Sequence, residues 1–217
     1  MCMKVGTGTV PNKVENMKFI GITGGVGAGK SEVLSYIRKH YLCEIYLADE
    51  VGHEVKRRGT PCYTALVELL GRDVLDEEGE IHKGNMARKI FADESLLERV
   101  NSIVHPAVKE YLMERYRRAK ERGEAELFFV EAALLIECGY GELVDEMWYI
   151  YASPEIRRER LKRARGYSDE KIDQIMQAQL SENDFRAGSD FVIDNSGDLT
   201  DTQRQIDDRL EAFTWRE

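Results

Sequence analysis

One octapeptide constrains this chain more than anything else in it. Gly24-Gly25-Val26-Gly27-Ala28-Gly29-Lys30-Ser31 matches the pattern G-x-x-x-x-G-K-[ST]. Before it lies a short apolar run over residues 18–23, as a buried parallel strand requires. After it, Val33, Leu34, Ile37 and Tyr41 recur at helical spacing. A strand that turns through glycines directly into a helix aims successive backbone N–H groups inward at one point, and such close approach needs residues without a Cβ. The helix N-terminus adds partial positive charge. The pattern implies a cradle for a nucleoside triphosphate. Gly25, Val26, Gly27, Ala28 and Gly29 supply the backbone, Lys30 reaches the β- and γ-phosphates, and Ser31 holds Mg²⁺. A chance glycine-rich turn is the competing reading, and the flanking strand and helix argue against it.

The rest of the chain alternates in the same way. Further strands are expected over residues 43–48, 126–130, 147–151 and 191–193. Helices are expected over 49–58, 63–70, 83–91, 94–103, 106–122, 155–165, 169–182 and 201–213, with the acidic stretch 73–80 as an exposed turn. His105-Pro106 marks the boundary between two of these helices. Strands alternating with helices imply an α/β fold with a parallel sheet covered on both faces. The helical stretch between the second and third strands is longer than a crossover needs and predicts a subdomain over one end of the sheet. Residues 1–16 show no clear period and are expected to be a flexible tail, leaving 17–217 as one domain.

Composition matters at this point because it narrows the ligand. The 217 residues carry a net charge of −9, which disfavours non-specific nucleic-acid binding, a role that needs a broad basic face. No apolar run reaches membrane-spanning length and no signal peptide is evident, so a cytoplasmic enzyme without membrane attachment is expected. Its partners are then small molecules, and it is read as a monomer or weak homo-oligomer. The four cysteines form no Cys-x-x-Cys pair and are read as reduced thiols. Against this acidic background, residues 157–165 carry six basic residues and one acid, a net +5. Such a helix can stabilise charge on a transferring phosphoryl group, although helical spacing lets only two or three of its cations face one ligand. A second basic run at residues 115–122 suits the C-terminus of a long helix.

Two carboxylates stand where phosphoryl-transfer chemistry needs them. Asp49 ends the second strand, at the sheet edge where ligands collect in open α/β folds. There it can accept a proton from an attacking hydroxyl. An N-cap for the following helix explains the same residue equally well on position alone. Glu131 ends the third strand, a place for a second metal-coordinating carboxylate or for an ordinary polar strand terminus.

Taken in order, the loop, Asp49, His105-Pro106 and the Glu131 strand resemble the dephospho-coenzyme A kinases over residues 18–210. Leu47-Ala48-Asp49 resembles the family's Asp-Ala-Asp, and residues 79–91 resemble its Gly-x-Leu-x-Arg stretch ending in Ile-Phe. Residues 131–137 resemble Asp-x-Pro-Leu-Leu-x-Glu, and residues 190–197 resemble its Ala-Asp-x-Val-Ile-x-Asn-x-Gly close. The resemblance implies a P-loop fold of three layers like the nucleoside monophosphate kinases. That fold has a five-stranded parallel sheet, an acceptor-binding helical subdomain over residues 50–123, and a lid over about 154–185. It implies transfer of the γ-phosphoryl of ATP, with Mg²⁺, to the ribose 3′-hydroxyl of dephospho-coenzyme A. It makes Asp49 the base and Arg160 a catalytic lid arginine beside Lys30. Arg163 or Arg165 is the second lid arginine, and Asn195 a nucleotide contact. Asp49, Lys83, His105 and Leu134 serve the acceptor, and Ser31 and Glu131 the metal. The chain departs from the family pattern at Leu47, Lys83, Ala133, Arg157 and Phe185, where Asp, Arg, Pro, Gln and a basic residue are usual. A related kinase with another small-molecule acceptor is the main rival reading. A GTPase-like switch is a distant one, since Asp76-Glu77-Glu78-Gly79 has no strand before it and no Asn-Lys-x-Asp follows.

Overall fold

The computed structural model describes residues 17–93 and 95–214. The expected tail over residues 1–16 lies outside them. Among the described residues, five strands form one parallel sheet in the order β2-β3-β1-β4-β5. They are β1 (Lys18–Thr23), β2 (Cys43–Leu47), β3 (Leu127–Glu131), β4 (Glu146–Tyr151) and β5 (Phe191–Asp194). Parallel strands need long crossovers, and helices supply them. They are α1 (Lys30–His40), α2 (Ala48–Glu54), α3 (Pro61–Leu70), α4 (Lys83–Ala92), α5 (Ser95–Arg122), α6 (Pro154–Arg165), α7 (Asp169–Gln177), α8 (Glu182–Ala187) and α9 (Leu199–Thr214).

Alternation along the strands builds two cores. Phe19, Phe128, Val130 and Met147 point to one face, where α2, α3 and α5 cover them with Val51, Leu66 and Leu112. Ile20, Ile22, Phe129, Trp148 and Ile150 point to the other, under α1 and α9 through Val33, Ile37, Ile206 and Leu210. Each such fully buried side chain contributes about 1.5–3 kcal/mol, so the two-faced sheet is the chief source of stability. The helical stretch expected as a subdomain shares the first of these cores with the sheet. Helix ends follow their local signals. Thr60 caps α3 by accepting from Tyr63 N–H with Pro61 at the first turn, and Ser153 caps α6 with Pro154 behind it.

Two expectations are corrected. Pro106 does not divide two helices: α5 runs unbroken through it for 28 residues. Proline forfeits one backbone hydrogen bond. The buried stripe of Leu96, Val100, Val108, Leu112 and Ala119 passes on both sides of it and holds the helix together. Conversely, residues 169–182 are not one helix. α7 ends at Gln177, and α8 begins after Ser181, which accepts from Asp184 N–H as its cap.

The order of strands fixes where a ligand can sit. From β1 the chain runs to β2 at one edge, then returns through β3 and crosses β1 to β4 and β5 on its other side. The carboxyl ends of the central strands then open into the crevice where open α/β sheets bind ligands.

Candidate active site at the carboxyl ends of the strands

The octapeptide lies in this crevice, joining β1 to α1. Gly29 holds φ 95°, and a Cβ there would strike the side-chain amide of Asn195. Only glycine meets both conditions. The loop is held from outside by its carbonyls. Asn195 Nδ2 donates to Ala28 O at 2.8 Å, and Arg160 Nη1 donates to the same oxygen at 3.2 Å. Because a trans peptide points its C=O and N–H in opposite directions, fixing Ala28 O outward aims the Gly29 N–H inward. At the start of α1, Glu32 and Val33 N–H close on Gly29 O. Lys30 and Ser31 belong to the first helical turn, whose N–H groups have no partner one turn back.

Register then gathers the charged groups. Glu131 pairs with Ile22 of β1 and Leu47 of β2, so it ends level with both strands. Lys30 Nζ donates to Gly24 O at 2.8 Å and stands 3.4 Å from Glu131 Oε1. Burial pushes the Glu131 carboxyl above the usual range; Lys30 pulls it back down, and the charge of Asp49 pushes it up again. Asp49 is thus an electrostatic neighbour of the Lys30–Glu131 pair. It is the second residue of α2 and exposed, while the cap position belongs to Leu47, with no side-chain bond. The N-cap explanation of Asp49 therefore falls, leaving a carboxylate open to the crevice.

A second group lies towards the helical face. His53, Lys56, Arg57 and Lys83 line a cleft with Glu80 and Met86. Burial lowers the pKa of the Lys56 ammonium, with Lys83 lowering it further and the charge of Asp49 raising it. Leu134, beyond β3, is 53% exposed, although Leu135 beside it is fully buried. His105 is mid-helix in α5, its Nδ1 3.8 Å from Cys138 Sγ.

The basic helix α6 divides by face. Arg158 pairs with Asp169 and Asp173, and Lys162 with Asp169, all on α7. On the other face Arg160 reaches the loop and also donates to Asn195 O at 2.9 Å. Arg157, one turn earlier, donates from Nε to Val26 O at 2.9 Å and from Nη2 to Gln179 Oε1 at 2.5 Å. Gln179 Oε1 also accepts from Val26 N–H at 3.3 Å. Neither candidate for the second lid arginine has a bond to the loop. Arg163 is exposed, and Arg165 lies 5.8 Å from the Tyr167 ring. From the sequence Arg157 is named only within the basic cluster and as a departure from the family pattern, and Gln179 not at all. The three-residue spacing of Arg157 from Arg160 was a signal for the first; the second had none, since its place depends on the break between α7 and α8. Asn195 is 1% exposed, with its Oδ1 accepting from Thr202 at 2.9 Å, so its amide braces the loop. Phe185, where a basic residue was expected, is buried and stacked 4.8 Å from Tyr149.

Comparisons with known proteins point to one family. A family model described as dephospho-CoA kinase matches residues 18–201. A dephospho-CoA kinase of Streptococcus mutans is 35% identical over 197 residues, covering 90% of this chain and 98% of its own. Among solved structures, a Thermus thermophilus protein superposes with TM-score 0.74 at 29% identity, covering 91% of this chain and 98% of its own. The dephospho-CoA kinase of Campylobacter jejuni superposes with TM-score 0.66, covering 90% of this chain and 96% of its own; at 18% identity this is a likeness of fold.

Proposed function

The chain belongs to the dephospho-CoA kinase family, and we propose the roles by which its residues perform that family's reaction. The reaction is phosphorylation of the ribose 3′-hydroxyl of dephospho-CoA by ATP, giving coenzyme A and ADP. The observation that carries the assignment of roles is the meeting of three groups at one sheet edge. They are the phosphate loop after β1, Asp49 after β2, and the Lys30–Glu131 pair at the end of β3.

In this reading the triphosphate lies along residues 24–31, with Lys30 on its β- and γ-phosphates. Asp49 orients the acceptor hydroxyl and takes its proton as the oxygen attacks the γ-phosphorus. The new O–P bond forms as the bond to the β,γ-bridging oxygen breaks, and ADP leaves with that electron pair. Lys30 and Arg160 hold positive charge where the phosphoryl oxygens gather negative charge, and no reorganisation is needed at that moment. The cleft bordered by Lys56 and Lys83 receives the anionic acceptor, and exposed Leu134 offers it an apolar contact. His105, 3.8 Å from Cys138 Sγ, serves the acceptor from α5. Residues 50–123 act as the acceptor-binding subdomain and about 154–185 as the lid that excludes water.

Ser31 and Glu131 would hold Mg²⁺. Both offer hard oxygen donors, which suits this ion. Among the described residues no group of three or more His, Cys, Asp or Glu side chains makes a metal site, in keeping with an ion that arrives on the nucleotide. What Mg²⁺ supplies when bound is neutralisation of the phosphate oxygens. A cytoplasmic location belongs to the same reading, supported by the unpaired thiols of Cys43, Cys62 and Cys138. No described helix is long and apolar enough to cross a membrane.

The test offers purified protein ATP·Mg²⁺ with dephospho-CoA, and separately with nucleoside monophosphates, following product by mass spectrometry. Turnover is expected with dephospho-CoA alone. Turnover of a nucleotide without turnover of dephospho-CoA would overturn the acceptor assignment.

A further inference from the structure

The two faces of α6 treat their cations differently. Arg158 and Lys162 are neutralised by the carboxylates of Asp169 and Asp173. Arg157 and Arg160 make no ion pair among the described residues, although Arg157 is well withdrawn from water; their acceptors are uncharged carbonyl and amide oxygens. A guanidinium taken out of water without a carboxylate is costly unless an anion arrives to meet it. Burial draws the Arg157 pKa down, with no carboxylate to oppose it.

The position of Arg157 says which anion. Its guanidinium lies directly against Gly25, so closely that a Cβ on that glycine would strike it. Lys30 Nζ stands on the carbonyl of the preceding residue, Gly24. Two cations therefore flank the end of the loop remote from α1, where Lys30 meets the outermost phosphates. Arg160 and Asn195 grip the same loop through Ala28 O. Gln179 Oε1 meanwhile accepts from both Arg157 Nη2 and Val26 N–H. One neutral oxygen thus serves a charged donor and a loop amide together. A phosphate oxygen is the stronger acceptor for both.

We propose that Arg157 is a ligand of the terminal phosphate of the bound triphosphate, which takes over the guanidinium and the Val26 amide from Gln179. The inference rests on reading residues 24–31 as the nucleotide site, but not on the identity of the acceptor. It makes Arg157 a sensor of the γ-phosphate: a triphosphate engages it and a diphosphate does not. Closure of α6 over the loop is then coupled to the presence of the group to be transferred.

The test is equilibrium binding of ATP and ADP, each with Mg²⁺, to the whole protein by calorimetry. Arg157→Gln should lower ATP affinity by about 10- to 100-fold, the worth of a charge-assisted contact, with ADP affinity nearly unchanged. Arg157→Lys keeps the charge and should recover part of the preference for ATP. Arg158→Gln, on the paired face, should leave the ratio of the two affinities as in the wild type. An equal loss for both nucleotides in Arg157→Gln would mean that the residue only braces the loop through Val26 O, and the proposal would fail. An unchanged ratio would defeat it as well. Wild-type protein that bound neither nucleotide would overturn the site itself, a distinct result.

Discussion

A single carboxylate and a single glycine carry the most chemistry for their size. Asp49 is exposed at the crevice and caps nothing, so its replacement should disturb the reaction and leave the fold alone. Asp49→Asn is expected to lower kcat by about 10²- to 10⁴-fold, the usual worth of a positioned proton acceptor. Its melting temperature and ATP affinity should match the wild type; full kcat would end the base assignment. Gly29 is the opposite case. An alanine there meets a backbone strain of about 1–2 kcal/mol at positive φ and also collides with the Asn195 amide. Gly29→Ala should lose ATP binding, read by calorimetry, and also some thermal stability. The glycine was legible from the octapeptide. The amide that forbids a side chain there was not, because Asn195 lies 167 residues from Ala28.

Elements are legible in the sequence where one periodic face meets one neighbour. The apolar strands and the amphipathic α1 and α9 stand close to the boundaries their patterns predict. Pro106 and the α7–α8 break were misread because local signals compete with packing: a continuous buried stripe outweighs one missing hydrogen bond, whereas Ser181 restarts a helix that composition alone would extend. One tie between elements has a pH signature. Tyr36 on α1 and Tyr41 just after it both donate to Asp207 on α9, at 2.8 and 2.6 Å. Burial, the hydrogen bond to Asp207 and its charge push the Tyr36 pKa up to about 12. The fold thus retains a proton that the unfolded chain releases near 10. The stabilisation is complete below that pH and is lost as the pH rises through about 12. Asp207→Ala should cost about 1–3 kcal/mol in urea unfolding at neutral pH, since two hydroxyls lose their acceptor. Ultraviolet titration should then show Tyr36 ionising nearer to 10. An unchanged titration would remove Asp207 as the cause.

For the molecule as a whole, the distribution of charge matters more than its total. The net −9 conceals a +5 helix, which leaves −14 on the remainder. The structure divides that helix again, into a neutralised face and a face laid on the phosphate loop. The cleft lined by His53, Lys56, Arg57 and Lys83 adds a further local concentration of cations, and Lys56 is held there against its own solvation. Folding lowers its pKa, so just below 10.5 the unfolded chain binds more protons, and stability rises with pH through that window. Lys56→Met should therefore melt higher than the wild type at neutral pH, and the gap should narrow as the wild-type lysine deprotonates. The same variant should raise KM for dephospho-CoA by about 10- to 100-fold, the worth of a contact to a charged group, with KM for ATP unchanged. A variant that gained stability without losing acceptor affinity would take Lys56 out of the acceptor site.

The amino-acid sequence by itself determined the octapeptide, the alternation of strands and helices, and the order of motifs that marks the family. These are local patterns, and the glycines, apolar periods and strand-end carboxylates that write them act through neighbours a few residues away. Tertiary structure alone decided which cations are free to meet a phosphate, that Asn195 braces the loop, that Asp49 opens onto the crevice, and that Arg157 and Val26 share Gln179. The contacts that brace the loop span 131 to 167 residues, and their geometry exists only once the sheet has closed and its two faces are packed.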